Sequence, residues 1–207
     1  MGAKADVQKQ KLFREYVLNP LIERAKSGLI ELFFLDASHF VMGGFPARVW
    51  WFVRVFVKTS SGRKRFNVLG ALNFITHKIE TICNDTYITS AQIVEMLEKL
   101  SKNCTKPISV VLDNAAYQHC DLVREAADRL GIQLIYLTTY SPNLDLIERV
   151  WKLVKSRVLH FAYFDTFEDF SYKIKDFVND LHILCKSDLD SLITSNFHIV
   201  DDFQIVG

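Results

Sequence analysis

The chain has 207 residues, of which 49% are hydrophobic and 24% charged, and its formal net charge is +1. These values describe one globular domain with a full core, and they exclude attraction to nucleic acid through overall charge. The four cysteines are scattered without a C-x-x-C pair, which argues against a disulfide scaffold or a zinc ribbon. No signal peptide and no apolar run of membrane-spanning length is recognised, so we expect a cytoplasmic protein with no membrane partner.

The first segment has the pattern of a helix. Apolar residues recur near helical spacing over about residues 5–27, and Pro20 is expected to kink or divide this helix. We expect residues 1–28 to form a helical arm, residues 29–185 the main domain, and residues 186–207 a tail that packs on that domain.

An antiparallel meander is predicted next. Residues 31–40 form a strand that is apolar apart from one Asp, residues 48–58 a second strand, and residues 65–76 a third. Turn sequences rich in Gly and Ser separate them at 43–44 and 60–62. Successive strands joined by short polar turns are typically antiparallel.

The hydrophobic pattern then changes to helices alternating with strands. Thr89 and Gln92 form a capping box before a helix, and an apolar strand ends at Asp113. Such alternation indicates parallel crossover units. The further predicted elements are helices at 121–130, 146–161, after Thr166 and near 189–193, and a strand at 132–137.

Together these elements predict an α/β protein with a mixed five-stranded sheet flanked by helices. Three antiparallel strands come first and parallel crossovers follow. This is the element order of ribonuclease H-like folds, in which the first and fourth strands lie side by side. Asp36 and Asp113 would then be neighbours.

Three carboxylates are candidates for a common site: Asp36, Asp113 and Glu148. Each also has an ordinary explanation, since Asp36 could face water at a bulge, Asp113 could begin a turn, and Glu148 is favoured by the helix dipole. A charge within an apolar strand is nevertheless costly unless it is paired or bound to metal. Three converging carboxylates without a Cys/His set favour Mg²⁺ or Mn²⁺ over zinc.

Four sequence blocks carry a resemblance to a known family. They are Leu-Asp-Ala-Ser-His-Phe at 35–40, Asn-Val-Leu-Gly-Ala-Leu-Asn at 67–73, Val-Leu-Asp-Asn-Ala at 111–115, and Tyr-Ser-Pro-Asn-Leu-Asp-Leu-Ile-Glu-Arg-Val-Trp-Lys at 140–152. The chain resembles, over about residues 10–200, the catalytic domain of bacterial insertion-sequence transposases related to the mariner superfamily. The 34 residues between the second Asp and the Glu match the spacing of the DDE carboxylates in that group.

The resemblance implies that Asp36, Asp113 and Glu148 are the catalytic and metal-binding triad, with two Mg²⁺ or Mn²⁺ ions in the active complex. It implies cleavage of double-stranded DNA at element ends and strand transfer into target DNA by in-line phosphoryl transfer. It also implies a separate or upstream helix-turn-helix module, a homodimer on DNA, and a bacterial cytoplasmic location, at the nucleoid when DNA is bound.

Local cations are the candidate DNA contacts. One group lies on the helix that carries the predicted catalytic Glu, and a second lies at the predicted hairpin tip. An ordinary solvated surface would also explain each group. Adjacency to the predicted metal site favours phosphate binding for the helix group, and the tip is held only as a second DNA contact. The candidates are Arg149, Lys152 and Lys155 on the helix, and Arg63 and Lys64 at the tip.

Four positions depart from the family's pattern. Thr138 and Thr139 stand where Pro-Pro is usual, Asp145 where Asn is common, and Ala116 where a basic residue is expected. Asp145 is well placed to cap the following helix.

Two alternative functions stay open. A structure-selective nuclease or resolvase on the same fold would cut DNA without joining ends, and a non-catalytic remnant would only bind DNA. A nucleotide-binding enzyme is disfavoured, because no Gly-rich phosphate loop follows a predicted strand.

Overall fold

The computed structural model describes residues 6–43, 64–139, 141–160 and 162–197. Within these ranges the strands are β1 (Glu31–Val41), β2 (Arg65–Asn73), β3 (Ile79–Asn84), β4 (Ile108–Leu112) and β5 (Ile132–Tyr136).

The five strands form one mixed sheet in the order β3-β2-β1-β4-β5. β2 pairs antiparallel with β1 and with β3, while β4 pairs parallel with β1 and with β5. The predicted α/β class, the mixed five-stranded sheet, and the adjacency of the first strand to the strand ending before Asp113 are therefore confirmed.

The middle of the meander differs from the prediction. β2 ends at Asn73 rather than at Thr76, because the Asn73 side chain accepts hydrogen bonds from the backbone N–H groups of Ile75 and Thr76 and closes a turn. β3 follows this turn and was not predicted. All six of its residues are half-buried, which agrees with a sequence that does not alternate clearly between apolar and polar residues. The predicted strand at 48–58, the tip at 60–62 and part of the turn at 43–44 lie outside the described residues.

The N-terminal segment forms one helix with a change of pitch. α1 (Val7–Phe13) passes through a π-helical turn (Arg14–Leu18) into α2 (Asn19–Lys26). Pro20 explains the change, since it has no N–H to donate and its ring crowds the carbonyl one turn earlier. The helix is therefore not divided at Pro20, and a π-helical turn takes the place of the expected kink or division. The residues that bury the helix in the main core are Leu18, Leu21, Ile22 and Ala25.

Helices cover both faces of the sheet. α3 (Ser90–Asn103) and α4 (Asp121–Leu130) pack on one face, and α5 (Leu146–Leu159), α6 (Phe167–Leu184) and α7 (Lys186–Leu192) pack on the other with the N-terminal helix. Nowhere in the described part of the chain does a helix combine the length and apolarity needed to cross a membrane.

Local capping chemistry sets the helix boundaries. Thr89 and Gln92 form the predicted capping box at the start of α3, and Gly131, with φ of 66°, ends α4 in the left-handed conformation that glycine adopts readily. The Thr166 hydroxyl accepts a hydrogen bond from the Asp169 N–H at the start of α6. Short-range signals therefore determine where these helices begin and end.

Helix α5 approaches the sheet most closely at Gly70 in β2. A Cβ at this position would lie 2.6 Å from Trp151 Cζ2 and 3.1 Å from Ile147 Cδ1, so only glycine leaves room for the indole ring. Gly70 is also the cross-strand partner of Asp36. Because Trp151 lies one helical turn beyond Glu148, its contact with Gly70 sets the position of Glu148 relative to Asp36.

Replacement of Gly70 by Ala should destabilise the protein by about 1–3 kcal/mol, because the added methyl group overlaps the indole ring. The free energy of unfolding in urea measures this effect. Gly43→Ala is the matched control, since a Cβ there meets nothing within 4 Å, and it should change stability by less than about 1 kcal/mol. Equal stability of Gly70→Ala and wild type would show that α5 does not depend on this contact.

Candidate active site

Strands β1 and β4 place two carboxylates side by side. The strands run parallel with Leu35 opposite Leu112. The next residues, Asp36 within β1 and Asp113 just after the end of β4, therefore lie side by side, with about 4.8 Å between their backbones. Asp36 is half-buried and Asp113 is exposed. The Asp113 carboxylate accepts a hydrogen bond of 2.6 Å from the Asn114 N–H. The structure therefore brings together the two predicted aspartates.

Helix α5 adds two further carboxylates. Asp145 caps the helix by accepting a hydrogen bond of 3.3 Å from the Ile147 N–H, and Glu148 lies in the first turn. Both line the same cleft of about 320 Å³ as Asp36 and Asp113. Asp145 thus has the predicted capping role, and its position three residues before Glu148 also places a fourth carboxylate in the cleft. The cleft is completed by Asn114, Leu137, Thr139 and Ser141.

Uncompensated negative charge is unfavourable in this cleft. Burial raises the pKa of Asp36 to about 7, and the charges of Glu148 and Asp113 act in the same direction. Burial also raises the pKa of Asp145 well above its usual range, reinforced by the charge of Asp36. Each carboxylate that ionises makes ionisation of the next one more costly. A cation in the cleft would relieve this repulsion.

The donor set suits a hard divalent cation, because the charged ligands on the cleft wall are all carboxylates and none of its lining residues is Cys or His. Within the described ranges, no three Asp, Glu, His or Cys side chains stand close enough together to form a ready-made metal site. The carboxylates share the cleft without forming a closed coordination shell. Water and substrate phosphate are the ligands that typically complete such a shell around Mg²⁺.

The loop between β5 and α5 is held by hydroxyl and amide side chains. The hydroxyl oxygens of Thr138 and Ser141 lie 2.7 Å apart, and the Ser141 hydroxyl donates to the Thr139 carbonyl at 3.4 Å. The Asn143 amide donates to Gln10 Oε1 at 3.2 Å, which joins the loop to the N-terminal helix. Thr138 thus supplies a side-chain hydrogen bond that a proline at this position could not.

The predicted DNA-contacting lysines lie at different places in the structure. Lys155 lies beside the cleft, where its charge lowers the pKa of Asp36 against the larger effect of burial. Lys152 is exposed on α5, and Lys64 is exposed immediately before β2. Arg63 lies outside the described residues.

Arg149 is instead engaged by the C-terminal segment. Its guanidinium donates to the carbonyls of Leu192 at 2.9 Å and Asn196 at 3.1 Å, and it lies 5.8 Å from the ring centroid of Phe197. Arg14 donates to the Phe197 carbonyl at 3.4 Å. Burial lowers the pKa of Arg149. We therefore interpret Arg149 as a structural residue that holds the C-terminal segment against α5.

Replacement of Asp36 by Asn should reduce the pH dependence of stability. The folded protein holds the Asp36 proton up to about pH 7, whereas the unfolded chain releases it near the ordinary pKa of 3.8. The free energy of unfolding of the wild type therefore falls as pH rises between these values. In EDTA at pH 8, Asp36→Asn should be about 2–4 kcal/mol more stable than the wild type, and the difference should vanish near pH 4.

Urea unfolding across this pH range provides the measurement. Asp128→Asn is the matched control, because Asp128 is exposed on α4 and its replacement should change stability by less than about 0.5 kcal/mol. A destabilised Asp36→Asn variant at pH 8 would contradict the free-energy cost inferred for ionising Asp36 in the cleft.

Solved structures of Mos1 transposase have folds similar to that of this chain. The Mos1 strand transfer complex superposes with a TM-score of 0.62 and 14% identity, covering 86% of this chain and 55% of that chain. The Mos1 mariner paired-end complex with Mn gives 0.61 and 14%, covering 90% and 64%. The catalytic domain of Mos1 mariner transposase gives 0.54 and 15%, covering 91% and 97%. This chain thus spans about half the length of the first Mos1 chain.

At these identities the likeness shows the fold, and it confirms the predicted ribonuclease H-like architecture. A comparison with curated proteins finds no match. The model of the DDE superfamily endonuclease family matches residues 31–171, a range that includes Asp36, Asp113 and Glu148. Since this match extends over more than half of the sequence, the chain belongs to the DDE superfamily endonucleases.

Proposed function

We propose that this chain is the catalytic domain of a DNA transposase, which cleaves DNA at element ends and joins those ends to a target. The observation that carries the proposal is the meeting of Asp36, Asp113 and Glu148, from β1, β4 and α5, in one cleft. Membership of the DDE superfamily endonucleases supports DNA cleavage. Fold similarity to Mos1 mariner transposase supports the narrower assignment.

Asp36, Asp113 and Glu148 would hold Mg²⁺ or Mn²⁺, with two ions in the active complex. The carboxylate-lined wall and the raised pKa of Asp36 both support cation binding. When bound, the ions would neutralise charge that develops on the scissile phosphate during in-line displacement. The Mos1 paired-end complex with Mn supports the same class of metal.

The chain's own residues contribute binding and orientation. Asp36 has to release its proton before it can act as a ligand, and Asp145 orients the first turn of α5 that carries Glu148. Lys155 supplies positive charge near the carboxylates, and this charge would attract a phosphate that enters the cleft. Water in cleavage and a DNA 3′-hydroxyl in joining would be the nucleophiles, so no covalent protein nucleophile is required.

Replacement of Asp113 by Asn should reduce Mg²⁺-dependent cleavage of duplex DNA by at least about 100-fold, since a metal ligand loses its charge. The fold should be retained, because Asp113 is exposed and an Asn oxygen can still accept the Asn114 N–H. Cleavage of a labelled duplex and circular dichroism are the measurements. Asp128→Asn, the same chemical change on α4, should cleave like the wild type. Full activity of Asp113→Asn would refute the assignment of the triad.

Mn²⁺ affinity should rise with pH up to about 7, because the Asp36 proton has to leave before the metal binds. Below that value each pH unit should weaken binding by up to about tenfold, as expected for the release of one proton. Calorimetric titration between pH 5.5 and 8.5 measures this dependence, and Asp36→Asn should flatten it. Wild-type affinity that does not change with pH would exclude Asp36 as a ligand.

Strand transfer distinguishes a transposase from a structure-selective nuclease or resolvase on the same fold. A duplex with a free 3′-hydroxyl, incubated with plasmid and Mg²⁺, should yield joined products; cutting without joining would favour the nuclease. We further propose that a helix-turn-helix module outside this domain selects the DNA ends and that two copies act together. Light scattering of the DNA complex would report the number of copies.

A further inference from the structure

Three lysine ammonium groups lie over phenylalanine rings on the side of the sheet covered by α5 and α6. In each pair the lysine Nζ is 5.5 Å from the ring centroid. A cation over an aromatic face is attracted by the ring's quadrupole, which restrains the ammonium group in position. The pairs are Lys155 over Phe40, Lys175 over Phe66, and Lys64 over Phe167.

The three rings are contiguous, so the lysines form a single row. Phe40 and Phe66 are direct partners in the pairing of β1 with β2. Phe66 meets Phe167 edge-on with centroids 6.4 Å apart. Phe40 follows Asp36 by four residues, which puts it on the same face of β1 and about 13 Å along the strand. The row therefore starts beside the catalytic cleft and ends at the first turn of α6.

None of the three lysines of the row forms an ion pair with a carboxylate in the part of the chain that the structure describes. Lys155 lies beside the cleft, where its charge lowers the pKa of Asp36. Elsewhere lysines are paired, as Lys99 is with Glu80 at 2.8 Å. Like charges in a row repel one another, and a polyanion is the partner that relieves this repulsion.

The chemistry of the row favours a sugar–phosphate backbone over base edges. Lysine ammonium groups bind phosphate as point charges and carry no sequence information. Because the rings already restrain the ammonium groups, binding should cost less side-chain entropy than it would for freely rotating lysines. Continuity with the cleft identifies the backbone as that of the DNA whose phosphate enters the site.

We propose that the lysine row, Lys155, Lys175 and Lys64, guides the DNA backbone away from the cleft and across the start of α6. Lys175 lies outside the helix and hairpin tip from which the sequence suggested DNA contacts. This path rests on the proposed function of the cleft, and it adds the direction in which the bound duplex leaves.

The test compares two double variants that remove the same charge. Lys64→Gln/Lys175→Gln removes two members of the row. Lys78→Gln/Lys173→Gln is the control: Lys173 is two residues from Lys175 on α6 and hence about 200° around the helix, and Lys78 precedes β3 at the opposite end of the sheet. Binding of a fluorescent random-sequence duplex is measured by anisotropy in EDTA, with NaCl varied between about 50 and 200 mM.

The row double variant should bind more weakly than wild type, and its slope of log affinity against log salt should be shallower by about 2, or about 1 for each lost phosphate contact. The control should keep the wild-type slope. Equal losses in the two doubles, or wild-type binding that does not depend on salt, would overturn the proposed path.

Cleavage of the same duplex in Mg²⁺ separates this proposal from the catalytic one. If wild type cleaves but the row double binds like the control, the path is wrong and the catalytic assignment stands. If the row double variant has the predicted shallower slope of log affinity against log salt while wild type never cleaves, the path stands and the catalytic assignment fails. With both correct, the row double should need more DNA for half-maximal cleavage and reach the wild-type rate at saturation.

Discussion

The burial of carboxylates close together in one cleft is the constraint on which the rest of the structure depends. Burial and neighbouring negative charge raise the pKa of Asp36 to about 7. Ionisation of this carboxyl group therefore costs free energy in the folded protein. The parallel pairing of β1 with β4 imposes this proximity, and helices on both faces of the sheet provide the hydrophobic burial that offsets it. A cation in the cleft would offset this cost, so the protein is expected to be more stable with a bound divalent cation than without one.

Both ends of the described chain reach the helix that carries Glu148. Gln10 of the N-terminal helix accepts a hydrogen bond from the loop before α5, and Arg149 of α5 holds the carbonyls of the C-terminal segment. From the other side, Trp151 fits against Gly70. The position of Glu148 therefore depends on contacts between segments far apart in sequence, and a change at either end should alter the geometry of the cleft.

A net charge of +1 does not prevent local binding of a polyanion. Several surface lysines are neutralised by carboxylates, as Lys99 is by Glu80. Lys64, Lys155 and Lys175 lie over aromatic rings instead. Overall charge would attract DNA weakly and in any orientation, whereas an ordered row next to the cleft would orient the backbone relative to the carboxylates.

The sequence by itself determined the features that depend on nearby residues. The capping box of Thr89 and Gln92, the helix stop at Gly131, and the cost of Asp36 in an apolar strand are all visible within a few positions. Tertiary structure alone decided what depends on distant partners. β3 is a strand because β2 pairs with it, Arg149 meets the C-terminal segment rather than solvent, and Asp145 shares a cleft with Asp36. Strand pairing and helix orientation depend on contacts between residues far apart in sequence, so a local sequence pattern carries little information about them.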